Sequence, residues 1–323
     1  MTAASNTSAS QSQQSGRDKR LERFVRPRGV MDVSRGLENL PVTVWPRLQE
    51  PPGFQYSPDH VGAAGGGPDP SEISFPGCRC QSASCLASMC SCLPYGENYK
   101  NSCINYEGNE LEYSKPIFEC NTMCQCGESC QNRVIQRGLQ FRLEVFKTAD
   151  KGWGLRTLDF IPKGRFVCEY AGEILDFREA CRRVRLQSPS DSNYIIAIRE
   201  HSCEGQITET FVDPTYTGNV GRFLNHSCEP NLIMVPVRTD SVMPKLALFA
   251  DRDILAEEEL SYDYSGRHRN YSPDLQRDQE KLPREEWKKK PCYCGAKSCT
   301  GFLPYDGSLF CEQDTTGCMK ETL

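Results

Sequence analysis

The sequence has no apolar run of the about 18 residues or more that a membrane helix needs, and its opening stretch, MTAASNTSASQSQQSGRDKR, lacks the apolar core of a secretory signal. Neither a membrane partner nor export is expected, and the chain reads as intracellular. An excess of positive charge is also missing: 43 Asp plus Glu stand against 38 Lys plus Arg, a formal net charge of -5. Broad electrostatic capture of nucleic acid is therefore not expected, nor is sequence-specific DNA binding, and a basic peptide fits better as a partner. No internal repeat is present, so a repeat array is not expected.

What the chain does have is cysteine, 19 in 323 residues. An intracellular compartment keeps thiols reduced, so clustered cysteines there point to metal rather than to disulfides, and an odd count suits complete internal pairing poorly. Ten of the 19 fall between Cys78 and Cys130, among Ser, Gly and Asn turn formers with little hydrophobic periodicity. Such a segment needs something other than an apolar core to fold.

Composition divides the rest. Residues 1–70 are rich in Ser, Gln, Pro and Gly and are expected to be mostly disordered. The cysteine module then spans 71–138 and a mainly β domain 139–265, where FRLEVF, RFVCEYAG, NYIIAI, TFVD, LIMVPVR and KLALFA read as short strands. Phe177 to Leu186 is the best helix candidate, with Asp176 able to cap it. Residues 266–290 are a charged linker nearly free of aliphatics, 291–304 hold a second cysteine knot, and 305–323 form a flexible tail. Cys311 and Cys318 read as free thiols in that tail.

The first cluster contains Cys78, Cys80, Cys85, Cys90 and Cys92, then Cys120, Cys124, Cys126 and Cys130. Zinc takes four tetrahedral ligands and thiolates suit it. Nine thiolates can hold three ions if three sulfurs bridge, leaving a formal charge of -3 for neighbours such as Arg79, Arg133 and Arg137 to offset. Closed all-thiolate sites keep no open position for a substrate, so this metal is expected to fold the module, not to catalyse. Cys103 lies alone in the long gap and is left out of the ligand set. In the second cluster, Cys292, Cys294 and Cys299 supply only three ligands; Cys228, in a loop-like segment, is the best candidate for the fourth.

Three further segments stand out: Lys151-Gly152-Trp153-Gly154, RFLNHSCEPN from Arg222 to Asn231, and EELSYDY from Glu258 to Tyr264. In this order, bracketed by the two cysteine clusters, they resemble the pre-SET, SET and post-SET arrangement of the suppressor-of-variegation class of histone lysine methyltransferases. The resemblance covers about Ser71 to Pro304. It implies a fold of small β-sheets around a threaded pseudoknot, in which NHSC passes beneath ELSYDY, flanked by zinc-binding pre-SET and post-SET segments.

By the same resemblance the cofactor is S-adenosylmethionine, with zinc as structural metal, three ions in the pre-SET module and one in the post-SET knot. Lys151, Gly152 and Trp153 are implied to line the cofactor, with Tyr194, Arg222, Asn225 and His226 as further contacts. Tyr264 matches the catalytic tyrosine, Tyr170 another tyrosine of the lysine channel, and Tyr262 the position that limits how many methyl groups are added, here to mono- and dimethyllysine. Phe302 and Leu303 match an apolar lid over that channel. The implied partner is a histone H3 tail or nucleosome in nuclear chromatin. Some members act on tail lysines four and thirty-six and many others on lysine nine. A chromatin-binding module that has lost turnover is the alternative. Only a short tail follows Cys299, so no domain that cleaves DNA or binds its ends is expected after it.

Overall fold

The computed structural model of the chain describes residues 31–63, 69–81, 84–105, 116–188, 191–201, 206–266, 290–304 and 309. Most of the linker expected over 266–290 and of the tail over 305–323 lies outside these residues. Among the described residues the regular structure is mainly β, with one α-helix.

Ahead of the cysteine module lie β1 (Thr43–Trp45), β2 (Gln55–Tyr56) and β3 (Val61–Gly62). This corrects the expectation of disorder across 1–70, because within it residues 31–63 pack on the rest of the chain. β1 runs parallel to β7 (Leu143–Lys147), and Val42 and Val44 are buried in the main core. The sequence hides this because each strand is two or three residues long and its apolar residues come singly, too few to show a period. Sheets built elsewhere in the chain offer the edges that these residues complete.

Within the cysteine module, β4 (Tyr99–Lys100) pairs with β5 (Cys103–Ile104), and β6 (Ile117–Phe118) joins β14 (Leu232–Arg238) in parallel. Glu119 fastens the junction. Its buried carboxylate accepts from the amides of Val134 and Ile135 at 2.7 and 2.9 Å and from Gln136 Nε2 at 2.7 Å.

The remaining elements are β8 (Trp153–Thr157), β9 (Phe166–Glu169), β10 (Gly172–Leu175), α1 (Phe177–Leu186), β11 (Ile196–His201), β12 (Ile207–Gly218), β13 (Asn225–His226), β15 (Lys245–Ala250) and β16 (Glu259–Tyr262). Beside the β4–β5 pair, the described residues form three larger sheets, in the orders β1-β7-β8-β16-β13, β11-β12-β10-β3 with β2 also on β12, and β6-β14-β15-β9. They enclose a core of Leu143, Val145, Leu155, Ile174, Leu248 and Leu260, among others. α1 begins where expected: the Asp176 side chain accepts from Glu179 N at 2.7 Å, and Ala180, Cys181 and Val184 form its buried face.

Two segments far apart in sequence meet at β13 and β16, which pair in parallel with Asn225 beside Ser261 and His226 beside Tyr262. Asn231 locks the return of the chain. Its side-chain oxygen accepts from Ser261 N at 2.9 Å and its amide donates to Glu259 O at 2.8 Å. This crossing carries the candidate site.

Candidate functional site

The KGWG loop closes a tight turn before β8. Thr148 Oγ1 accepts from Lys151 N at 2.9 Å, and Gly152 takes a φ of 75°, a conformation that favours glycine. Gly154 is small for another reason: a Cβ there would stand 2.9 Å from Thr148 and 3.1 Å from the Asn225 amide. Asn225 therefore seats directly on the loop, donating to Trp153 O at 3.2 Å. One face of the Trp153 indole is met by Lys147 Nζ, 5.3 Å from the ring centroid.

Glu259, within the EELSYDY motif, completes this group, and nothing local in the sequence marks it for that part. Its carboxylate accepts from Lys151 Nζ at 2.6 Å and from Asn225 Nδ2 at 3.0 Å. One anion thus ties together two residues expected at the cofactor site.

Beside it lies a cluster of aromatic rings. Tyr262 packs on Tyr170 with ring centroids 6.1 Å apart and on Tyr264 at 4.9 Å. Tyr264 donates its hydroxyl to Leu224 O at 2.8 Å, and Tyr170 donates to Tyr194 O at 2.6 Å. Burial first, then neighbouring phenols, pushes the Tyr170 and Tyr262 hydroxyls well above the ordinary phenol range, so both stay protonated at neutral pH. Tyr170 and Tyr262 are nearly inaccessible, whereas Tyr264 keeps 37% of its surface exposed.

His226 backs this cluster. Its Nδ1 accepts from Tyr264 N at 3.2 Å, which leaves the proton on Nε2, 3.4 Å from Cys228 Sγ. Burial holds the imidazole pKa below its usual value against the pull of Asp263. Both ring nitrogens are thus engaged inside the protein. The parallel ladder, in which Ser227 donates to Tyr262 O at 3.1 Å, directs His226's own amide and carbonyl away from β16.

Arg222, on the 3-10 helix Val220–Phe223, is buried among rings, its guanidinium carbon 4.4 Å from the Phe54 centroid, 4.7 Å from Tyr194 and 5.2 Å from Phe223. Its Nε donates to Pro214 O at 3.2 Å. Phe54 carries no sequence signal for such a part; it sits in a proline-rich stretch read as disordered.

The cysteines gather as their spacing suggests. Three overlapping groups of four sulfurs form, Cys78-Cys85-Cys90-Cys120, Cys78-Cys120-Cys124-Cys126 and Cys85-Cys120-Cys126-Cys130, each with all sulfurs within 4.8 Å of one another. Cys120 belongs to all three, an overlap suited to bridging thiolates. Cys92 lies outside these groups but reaches Cys124 Sγ at 3.6 Å, while Cys80 packs against the cluster. Backbone amides of Cys78 and Asn121 donate to Cys124 Sγ at 3.2 and 3.1 Å, and Arg133 Nη2 lies 3.8 Å from Cys126 Sγ. Arg137 turns to the Cys130 carbonyl at 2.9 Å. Cys103 sits in β5 and joins none of these groups. A fourth set of sulfurs within 4.8 Å unites Cys228 with Cys292, Cys294 and Cys299. Four tetrahedral thiolates fit zinc at either place.

Residues 34–133 match the family described as the Pre-SET motif, and residues 152–265 match the SET domain. The first of these begins inside the stretch expected to be disordered. The chain is 61% identical over 298 residues to the histone-lysine N-methyltransferase SETMAR of Bos taurus, covering 91% of this chain and 95% of that protein. The chain belongs to the pre-SET and SET histone-lysine N-methyltransferases. To the SETMAR of Homo sapiens this methyltransferase is 60% identical over 91% of its own length and 43% of the human protein. It superposes on the crystal structure of the methyltransferase domain of human SETMAR with a TM-score of 0.75 and 58% identity, covering 85% of this chain and 98% of that one. The structure of KRYPTONITE in complex with mCHH DNA, an H3(1–15) peptide and SAH is similar at a TM-score of 0.64 and 30% identity, over 86% of this methyltransferase and 54% of that chain. The mainly β SET fold expected from the sequence is the fold observed. No helix of the described residues is long and apolar enough to cross a membrane.

Proposed function

We propose that this methyltransferase uses S-adenosylmethionine to add one or two methyl groups to lysine four or thirty-six of the histone H3 tail, acting on nucleosomes in nuclear chromatin. The carrying observation is the meeting of Tyr264, Tyr262 and Tyr170 with the Lys151–Trp153 loop and Asn225 at one crossing of the chain. SAH and an H3 peptide in a similar structure support the cofactor and substrate classes.

The residues present fit the cofactor. S-adenosylmethionine, when bound, supplies an electrophilic methyl carried on a sulfonium. Lys151, Gly152 and Trp153 would hold it from the loop, Asn225 and His226 through β13, and Tyr194 and Arg222 from the aromatic side. The carbonyls of Leu224 and Tyr194, fixed by the hydroxyls of Tyr264 and Tyr170, provide oxygen acceptors suited to weak C–H···O contacts with a polarised methyl. The lysine amine must arrive neutral. A channel walled by buried tyrosines favours that by desolvation, from an ordinary pKa of about 10.4. Tyr264 then orients the amine lone pair, and positioning supplies the acceleration. Phe302 and Leu303 close the channel. The pre-SET cysteines would hold three zinc ions, and Cys228 with Cys292, Cys294 and Cys299 would hold one more, both as closed structural sites.

Labelled methyl transfer to nucleosomes, followed by mass spectrometry of H3, tests the proposal. Product at lysine four or thirty-six is expected. Product at lysine nine overturns the site assignment, and cofactor binding without turnover makes the chain a chromatin-binding module.

Two substitutions probe the site further. Tyr262→Phe is expected to raise the share of higher methylation states with little loss of the first methylation. The buried Tyr262 hydroxyl interacts with that of Tyr170, and its removal frees the room of an ordered water. An unchanged product distribution by mass spectrometry rules out this role. Glu259→Gln is expected to weaken S-adenosylmethionine binding about fivefold, in keeping with roughly 1 kcal/mol for a half-exposed ion pair. Wild-type affinity in calorimetry would remove Glu259 from the site.

A further inference from the structure

The segment Phe54–Pro58 grips the turn that delivers Arg222. β2 pairs Gln55 with Thr217 and Tyr56 with Gly218, and Ser57 N donates to Gly218 O at 2.8 Å. Asn219 Nδ2 donates to Pro58 O at 3.3 Å, and Val220 N donates to the Tyr56 hydroxyl at 3.3 Å. That hydroxyl in turn donates to Glu38 Oε1 at 2.9 Å, so a second part of the N-terminal segment shares the grip. Four consecutive residues, 217–220, are thereby held just before the 3-10 helix that bears Arg222 and leads into Asn225 and His226.

Phe54 extends the grip to the side chain. Its ring is the nearest of the three around the guanidinium, 4.4 Å from the carbon, and it also meets Phe223 edge-on at 5.8 Å. A cation only 7% exposed has lost most of its water, which is costly unless something replaces it. An aromatic face does so by its quadrupole, and most strongly when desolvated.

We propose that Phe54 is a positioning residue for Arg222, and that the segment ahead of the cysteine module is thereby a working part of the cofactor site. The proposal rests on Arg222 as a cofactor contact. Without the ring, the guanidinium gains rotamers that point away from the cofactor, and binding falls while the peptide channel stays intact.

The test uses the full chain, S-adenosylhomocysteine as calorimetric probe, and the KM values for S-adenosylmethionine and an H3 peptide. Phe54→Leu keeps apolar bulk and removes the π face; it is expected to weaken the probe about tenfold, about 1.4 kcal/mol, and to raise the KM for S-adenosylmethionine alike. The peptide KM should stay within about twofold, and Phe54→Tyr, which keeps the ring, should bind within about twofold of wild type. In an Arg222→Ala background Phe54→Leu should add nothing. Wild-type binding by Phe54→Leu beside a weakened Arg222→Ala overturns the proposal and leaves the cofactor reading standing. Wild-type binding by Arg222→Ala removes that reading and the proposal together. Equal rises in both KM values, a loss of folding in Phe54→Leu, or an undiminished effect without Arg222 would assign Phe54 to packing alone and overturn the proposal.

Discussion

Tyr264→Phe is expected to lower the rate of methyl transfer at least about 100-fold, the scale seen when one preorganised hydrogen-bonding group is removed from an active site, while S-adenosylmethionine affinity stays within a few-fold. The substitution is clean because the ring has its own supports. It packs on Tyr262 at 4.9 Å and on His226 at 5.3 Å, and its backbone amide donates to His226 Nδ1. Phenylalanine keeps all of these. Only the hydroxyl goes, and with it the bond to Leu224 O at 2.8 Å. A single neutral hydrogen bond is worth about 1 kcal/mol to stability, so the protein should melt within a few degrees of wild type. Turnover within tenfold of wild type, with normal binding and melting, would mean that the amine is oriented elsewhere, and Tyr170 would be the next group to test.

Much of this arrangement was legible because it repeats over enough residues to leave a pattern. LIMVPVR and KLALFA became β14 and β15, and the Asp176 cap and the buried positions of α1 follow from side-chain chemistry. That Cys228 gathers with the last three cysteines was legible by arithmetic: three thiolates leave a tetrahedral ion one ligand short. The illegible parts are those whose meaning is spatial. Phe54 stands just before a two-residue strand that holds Tyr56, and nothing local says that the partner is a turn more than a hundred and fifty residues away. Glu259 alternates with buried Leu260 as an ordinary strand acid does. Its role appears only when Lys151 and Asn225 converge on it. The roles of Gly152 and Gly154 likewise separate only in three dimensions, one set by backbone conformation and the other by the approach of Asn225.

Removing the metal should have the largest effect on stability. A strong chelator is expected to unfold the cysteine module and abolish transfer, with elemental analysis of the intact chain giving four zinc ions. The reason lies in what fills that module. Around the sulfurs the buried cluster is Cys78, Cys85, Cys90, Cys92, Cys120, Cys126 and Cys130 with Leu93, while Tyr99, Ile104, Ile117, Val134 and Ile135 pack instead with residues of β9, β14 and β15, so apolar burial among the cysteines cannot offset about 1–2 kcal/mol of backbone entropy per ordered residue. Thiolate–zinc bonds must supply the difference, and their binding free energy is folding free energy. Cys120 belongs to all three sulfur groups, so Cys120→Ser should lose metal and fold together, whereas Cys103→Ser, outside them, should melt near wild type. The damage should spread, because β6 and the Glu119 contacts join this module to the sheet of β14, β15 and β9. The last knot should behave differently. Residues 290–304 close on themselves through a bridge between Pro291 and Phe302 and reach the main body through Cys228 and Glu229. Cys299→Ser is therefore expected to cost activity but little melting temperature. Fewer than three zinc ions per intact chain, or a chelated protein that keeps its melting transition, would mean that hydrogen bonds such as those of Glu119 hold the module without metal.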